Sequence, residues 1–275
     1  MTRIALFQAR TGIDPDANAR DLSAAVAEAA AGGAAMLFTP EMSGLIDRDR
    51  DRSAPKLRFE AEDEVLAAVR EAAAGAGIWV HLGSLAVKRS DGRLANRGYV
   101  IDGQGEVRAT YDKLHLFDVD LPSGESWRES ALYAPGERAV VAATPIGAIG
   151  LSICYDLRFS SLYQALTDAG AEILSIPAAF TVPTGKAHWH ALMRARAIEA
   201  GVFVVAAAQS GKHEDGRETY GHSLVIDPWG EALLDMGEEV GVGFAQIDLE
   251  AVERVRARLP AIRHRRAIPP VELSQ

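Results

Sequence analysis

Short apolar runs alternate with longer stretches of helical composition along most of the chain, and this alternation predicts strands that lead into helices. Residues 3–8 read as a first strand. Asp14 and Pro15 supply an N-cap and a proline for the first position of a helix through about Ala31, closed by Gly32 and Gly33. Ala35 to Phe38 is a buried-strand run that stops at Thr39-Pro40-Glu41. Residues 61–74 predict a second helix, ended between Gly75 and Gly77, and Ile78 to Leu82 predict another strand. The period then changes. Tyr99-Val100-Ile101 and Val107-Arg108-Ala109, separated by Asp102-Gly103-Gln104-Gly105, predict a β-hairpin.

Residues 119–136, which hold Pro, Ser and Gly with Glu125 and Glu129, predict a long irregular loop. The apolar run Ala148 to Ile153 ends abruptly at Cys154. A helix from about Ser160 to Asp168, a strand at Glu172 to Ile176 and a loop over Phe180 to Lys186 follow. A helix over 187–200, a buried strand at Val202 to Ala206, two β runs flanking Asp227-Pro228-Trp229-Gly230 and a final helix over roughly 249–258 complete the pattern. No repeat, low-complexity linker or break in composition interrupts it, so 1–275 reads as a single domain. The elements predict an α/β (α+β mixed) fold, with mixed sheets and helices outside.

Composition narrows the class. The 275 residues include one cysteine, which excludes an internal disulfide, and no Cys/His cluster has zinc spacing. No apolar run approaches the roughly twenty residues of a membrane span, and the N-terminus lacks the pattern of a signal peptide. A cytoplasmic chain without a membrane partner is the expectation. A net charge of −9 and a pI near 5.3 argue against nucleic acid as a partner. The one dense cationic stretch, Arg254 to Arg266, lacks interleaved aromatics and reads as a solvated or interface-forming tail. The alternating charges of 47–52 read as a mutually screened loop, with a lid over a cleft as the other reading.

Three residues at strand ends carry the candidate chemistry: Glu41, Lys113 and Cys154. Singly, each has an ordinary structural role, as a loop carboxylate, a lysine with a packed stem and a small buried hydrophobe. Together they make a mechanism. A free thiol, with a pKa of about 8.5, is a few per cent thiolate at neutral pH, so a neighbouring carboxylate must take its proton as it attacks. A fixed ammonium stabilises the charge that attack puts on a carbonyl oxygen. His188 and His190 stand two apart, so on a helix they diverge and make a poor metal pair. His115 is expected to order the lysine loop, and His222 to support a turn. Arg158 reads either as a partner of Asp156 or Glu172 or as a substrate contact.

The contexts Thr39-Pro40-Glu41, Tyr111-Asp112-Lys113-Leu114-His115 and Ile153-Cys154-Tyr155-Asp156-Leu157-Arg158-Phe159 resemble the Glu-Lys-Cys signatures of the nitrilase superfamily of carbon–nitrogen hydrolases. The likeness runs through Arg194 to Glu199 and Tyr220-Gly221-His222-Ser223. Ala179 to Trp189 resembles the Nit branch, and within it the deaminated glutathione amidases more than the ω-amidases. Met42 to Leu45 replaces a segment that is more aromatic in many relatives.

The resemblance implies a four-layer α-β-β-α sandwich, assembled at least as a homodimer, that hydrolyses a small-molecule amide without metal or organic cofactor. It implies Cys154 as nucleophile, Glu41 as base, Lys113 as oxyanion donor and Glu129 as the additional acid. The Tyr155 backbone N–H is expected to assist, and Arg158, Thr184 and Lys186 are the candidate substrate contacts. An ω-amidase acting on 2-oxo-dicarboxylic monoamides is the first alternative, and a nitrilase activity or a catalytically silent interaction module come after it.

Overall fold

The computed structural model describes residues 1–120, 124 and 126–274. Glu125, part of the predicted loop, lies outside the described residues. The chain opens with β1 (Thr2–Gln8), α1 (Pro15–Ala31) and β2 (Met36–Phe38). A single turn, α2 (Arg50–Ser53), and the short β3 (Arg58–Phe59) lead to α3 (Glu64–Ala76). The meander β4 (Trp79–Lys88), β5 (Leu94–Ile101) and β6 (Val107–Asp112) follows. A hairpin, β7 (Asp118–Asp120) with β8 (Ser126–Arg128), occupies the stretch expected to be irregular. Arg128 stabilises it by a two-pronged contact with Asp120 at 2.9 Å.

The second half runs β9 (Val141–Thr144), β10 (Gly147–Leu151), α4 (Ser160–Asp168), β11 (Ile173–Ser175), α5 (Val182–Ala200) and β12 (Phe203–Ala206). A ribbon, β13 (Ser210–Lys212) with β14 (Glu218–Tyr220), precedes β15 (Leu224–Ile226), β16 (Ala232–Asp235), β17 (Gly241–Ile247) and α6 (Glu250–Arg258). One large sheet has the order β17-β1-β2-β4-β5-β6, and the other β16-β15-β12-β11-β10-β9.

Strand alternation explains the layering. On β1, Ile4 and Leu6 enter a core shared with Ile149, Leu151 and Val205 of the second sheet, whereas Ala5 and Phe7 face a separate core with Leu22 of α1 and Val69 of α3. On β2, Met36 and Phe38 point to the first core and Leu37 to the second. Both faces of each such strand are buried, which is why they read as continuous apolar runs rather than alternating ones. On the far side of the second sheet, Leu162 and Tyr163 of α4 and Trp189 and Met193 of α5 cover the outer face that carries Leu174 and Val204. The result is helices, sheet, sheet, helices.

The caps follow the sequence signals. Asp14 accepts from the Asp16 amide at 3.2 Å, and Gly77 and Gly201 end α3 and α5 in the left-handed conformation. α5 begins five residues before its expected start, because Pro183 sits in its first turn and Gly185 packs directly against the Tyr220 ring where a Cβ would collide. The basic C-terminal stretch is tied to its own chain: Arg256 donates to the Ala200 and Ala171 carbonyls, and Arg265 pairs with Asp168. Among the described residues, no helix is long and apolar enough to cross a membrane.

Candidate active site

The site forms where β2, β6 and β10 end. Cys154 follows β10 with φ +48°, a conformation that costs a non-glycine residue about 1–3 kcal/mol and persists only where its surroundings impose it. They do so here through Asp156. Its carboxylate, fully buried, accepts from the Ile153 amide at 2.9 Å, the Tyr111 hydroxyl at 2.7 Å and the His115 amide at 3.0 Å. The Cys154 amide donates to the Pro177 carbonyl at 2.9 Å. The sharp turn is thereby fixed to β11 on one side and to the segment after Lys113 on the other. His115, which also contacts Asp156 through Nδ1 at 2.7 Å and stacks on Phe159 at 3.6 Å, is part of this clamp.

Glu41 lies just past β2. Its backbone is fixed by Gln209 Nε2 on the Glu41 carbonyl at 3.0 Å and by the Thr39 hydroxyl, which accepts from the Gly83 amide at 3.0 Å. Gly83 is required there, because a Cβ would overlap the Thr39 and Pro40 carbonyl oxygens. The Lys113 amide donates to the Asn96 carbonyl on β5 at 2.9 Å, which carries the lysine over the same spot.

The side chains then converge. Lys113 Nζ donates to Glu41 Oε1 at 2.8 Å and to Glu129 Oε2 at 2.9 Å. Asn96 Nδ2 donates to Glu41 Oε1 at 2.9 Å and to Glu129 Oε1 at 3.1 Å, bridging the two acids. The Ala179 amide holds Glu41 Oε2 at 3.0 Å, and the Phe117 amide holds Glu129 Oε2 at 2.7 Å. Asn96 Oδ1 is buried without a partner, as follows when two carboxylates claim the amide's donor end.

Burial alone would push Lys113 down, but the charges of Glu129 and Glu41 together raise it well above its ordinary value. Burial likewise pushes Glu41 up, yet the Lys113 charge and hydrogen bonds from Lys113, Cys154 and Asn96 outweigh it, and the carboxyl is lowered. The Cys154 thiol is raised well above its ordinary value, first by burial and then by the Glu41 charge. The resting state is therefore a protonated thiol beside an ionised carboxylate and a charged ammonium. That arrangement suits proton transfer concerted with attack.

Glu41, Lys113, Glu129, Cys154, Tyr155, Arg158 and Thr184 all line one cleft of ≈ 490 Å³. Tyr155 is the second residue of the single turn Cys154–Arg158, a position whose N–H has no helical acceptor. Arg158 pairs with neither Asp156 nor Glu172. Its guanidinium lies over the Phe180 ring at 5.6 Å and the Tyr155 ring at 5.9 Å, with Nη2 3.3 Å from His188 Nδ1. Lys186 corrects an expectation. It is exposed on α5 and outside the cleft lining, because two residues along a helix turn it roughly 200° away from Thr184.

Asp47, Arg48 and Arg50 border the cleft, so the charged segment flanks the opening. An Arg52–Asp47 pair at 2.7 Å and an Asp49 cap on α2 order it. His190, His222 and Asp235 come within 4.8 Å of one another, and Asp235 hydrogen-bonds both imidazoles at 3.0 and 2.8 Å. Sequence reasoning missed Asn96, Trp127, Tyr133 and Arg217, which also line the cleft. For Asn96 a signal existed, since asparagine is depleted in strand interiors.

Two helix-covered sheets with a buried thiol, carboxylate and ammonium cluster between their strand ends define the nitrilase type of α-β-β-α sandwich. The chain belongs to the carbon–nitrogen hydrolase family, which its residues 3–257 match. It is 40% identical over 268 residues to the deaminated glutathione amidase of Bos taurus, covering 96% of this chain and 81% of that one. The crystal structure of the NitFhit protein of C. elegans superposes with a TM-score of 0.89 at 38% identity, over 96% of this chain and 65% of that longer one. A glutamate-to-glutamine variant of an amidase from Nesterenkonia sp. AN1, whose active-site cysteine has added to acrylamide, superposes with a TM-score of 0.79 at 27% identity, over 94% of this chain and 98% of that one.

Proposed function

We propose that this chain is an amidase that cleaves the amide of a small carboxylated substrate such as deaminated glutathione through a Cys154 thioester. The observation that carries the reading is the convergence of Glu41 and Lys113 at 2.8 Å in the cleft that Cys154 also lines. Glu41 takes the Cys154 proton as sulfur attacks the amide carbon. Lys113 and the Tyr155 N–H receive the oxyanion. Glu41 returns the proton to the departing nitrogen, which leaves as an amine and yields the thioester. A water deprotonated by Glu41 then releases the acid. Glu129 touches Lys113 from the far side and holds it in place.

Deaminated glutathione is a secondary amide with a carboxylate at each end. Identity of 40% to a deaminated glutathione amidase supports it over 2-oxo-dicarboxylic monoamides, the ω-amidase substrates. We further infer that residues 1–275 act as one unit, at least dimeric and cytoplasmic. Support for the assembly is the exposure of Ile198 on α5 and of Trp229. The single cysteine supports the compartment. The deciding assay compares deaminated glutathione, 2-oxoglutaramate, aliphatic amides and nitriles by release of amine or ammonia. Highest kcat/KM on deaminated glutathione is expected. Preference for 2-oxoglutaramate would transfer the assignment to ω-amidase, and turnover of none of them would end it.

A further inference from the structure

The lining of the cleft holds two hydrogen-bond donors with no acceptor among the described residues. Arg217 Nε and Trp127 Nε1 are both buried and unpartnered among the described residues, and the Arg217 guanidinium lies 4.8 Å from the centre of the Trp127 ring. The nearest carboxylate to that guanidinium is Asp215, at 3.4 Å from one nitrogen, and Asp215 is engaged by the Arg48 and Arg217 backbone amides at 2.9 Å each. A buried donor left unmade costs about 1–3 kcal/mol, so two side by side in a cleft wall call for an acceptor that arrives with the substrate. The other arginines of the lining are less suited. Arg128 is taken up by Asp120, and Arg48 and Arg50 are exposed. Arg158, four residues past Cys154, reaches His188 Nδ1 with Nη2 at 3.3 Å and leaves no buried donor unpartnered.

We infer that Arg217, with Trp127 Nε1, binds the carboxylate that the substrate carries on its leaving-group side. This inference rests on the amidase reading above. Deaminated glutathione has one carboxylate on the acyl part and one at the end of the departing dipeptide, so a selective site needs two cations in different places. The guanidinium fork matches a carboxylate in two-point contact, and partial enclosure makes that contact worth more than an exposed pair. Arg217 is 17% exposed, open enough to be reached and shielded enough to matter. Aromatic stacking on Trp127 holds the fork in place before substrate arrives.

The test compares three substrates: deaminated glutathione, the same molecule with its terminal glycine carboxylate converted to the carboxamide, and 2-oxoglutaramate, which lacks that end. Arg217→Gln is expected to raise KM for deaminated glutathione ten-fold or more with little change in kcat. The loss should shrink at least five-fold on the other two. Trp127→Phe, which keeps the ring and removes the N–H, should give a smaller loss in the same pattern. Equal losses on all three substrates, or a loss in kcat alone, overturn the inference and make Arg217 a structural residue.

A second measurement needs no turnover. Calorimetric titration of alanylglycine and alanylglycinamide into wild type and Arg217→Gln should give at least ten-fold weaker binding wherever either the carboxylate or the arginine is missing. If wild-type enzyme cleaves none of the substrates, the amidase reading fails while this titration still decides Arg217. Indistinguishable binding of the two dipeptides overturns it.

Discussion

Lys113 Nζ stands 2.8 Å from Glu41 Oε1, with the two side chains only 3% and 6% exposed. Desolvating both charges costs several kcal/mol each, so a buried pair of this kind is poor evidence of a stability device. Glu129, 2.9 Å from the same ammonium, leaves the group with two acids and one base. Such a charge distribution fits a catalytic use, because it keeps Lys113 protonated and Glu41 ionised beside a thiol that is not.

If Cys154 forms a thioester, one equivalent of iodoacetamide should abolish turnover and raise the intact mass by a single adduct, since no other thiol exists in the chain. Cys154→Ala should be inactive yet folded. Full activity in either preparation rules the covalent route out.

Lys113→Met is expected to lower kcat by a factor of about a hundred or more, the usual worth of an oxyanion donor. The pH profile separates this role from a merely structural one. Lys113 lowers the Glu41 carboxyl, so its removal should move the acidic limb of kcat/KM to higher pH. Glu41→Gln should lose activity comparably and show no such limb. A profile in Lys113→Met that matches wild type would show that the two groups do not communicate.

Much of this was legible before the structure. Glu41, Lys113 and Cys154 stand directly after strand-length runs, and a period-2 or buried-run reading finds strand ends well. The four layers were not legible from periodicity, because β1 and β2 are buried on both faces and give no alternation to say which side meets the second sheet. The β7–β8 hairpin escaped because its strands are three residues each and its ladder is closed by an Arg128–Asp120 pair rather than by apolar alternation. The helix start at Val182 was hidden by Gly185, which reads as a breaker but makes room for Tyr220. Arg217 sits in a polar run that looks like any surface turn; only tertiary packing brings it against Trp127.

His81, buried on β4 between the sheets, accepts or donates a single hydrogen bond with Ser175 Oγ at 3.0 Å, and burial pushes it down from 6.5 to about 3. Between these values the unfolded chain binds a proton that the folded one refuses, so stability falls as pH drops below about 6.5. At pH 5 the effect amounts to about 2 kcal/mol. Denaturant titrations of wild type and His81→Asn from pH 7 to 5 should show a flatter pH dependence in the variant. Parallel curves would mean that another group drives the acid loss.

A homodimer requires that light scattering at micromolar concentration show no dominant species near 29.4 kDa. Charging the exposed apolar residues, as in Ile198→Glu with Trp229→Glu, should shift the population toward monomer. A clean, fully active monomer in the wild type would remove assembly from the mechanism.

Arg158 bears on selectivity. It is half-buried, lies over the Tyr155 and Phe180 rings of the cleft and pairs with no carboxylate among the described residues. Its position four residues past the nucleophile suits the carboxylate on the acyl side of the substrate. Lysine would keep the charge but lose the planar two-point contact and the stacking. Arg158→Lys should therefore raise KM for a carboxylated amide about ten-fold or more, which corresponds to about 1.4 kcal/mol, while a neutral amide changes little. Lys186→Ala, by contrast, should leave both substrates nearly untouched, since Lys186 is exposed and outside the cleft lining. Equal losses in Arg158→Lys on charged and neutral amides would show instead that Arg158 braces the Cys154 turn through Tyr155, and substrate recognition would have to be sought elsewhere in the cleft.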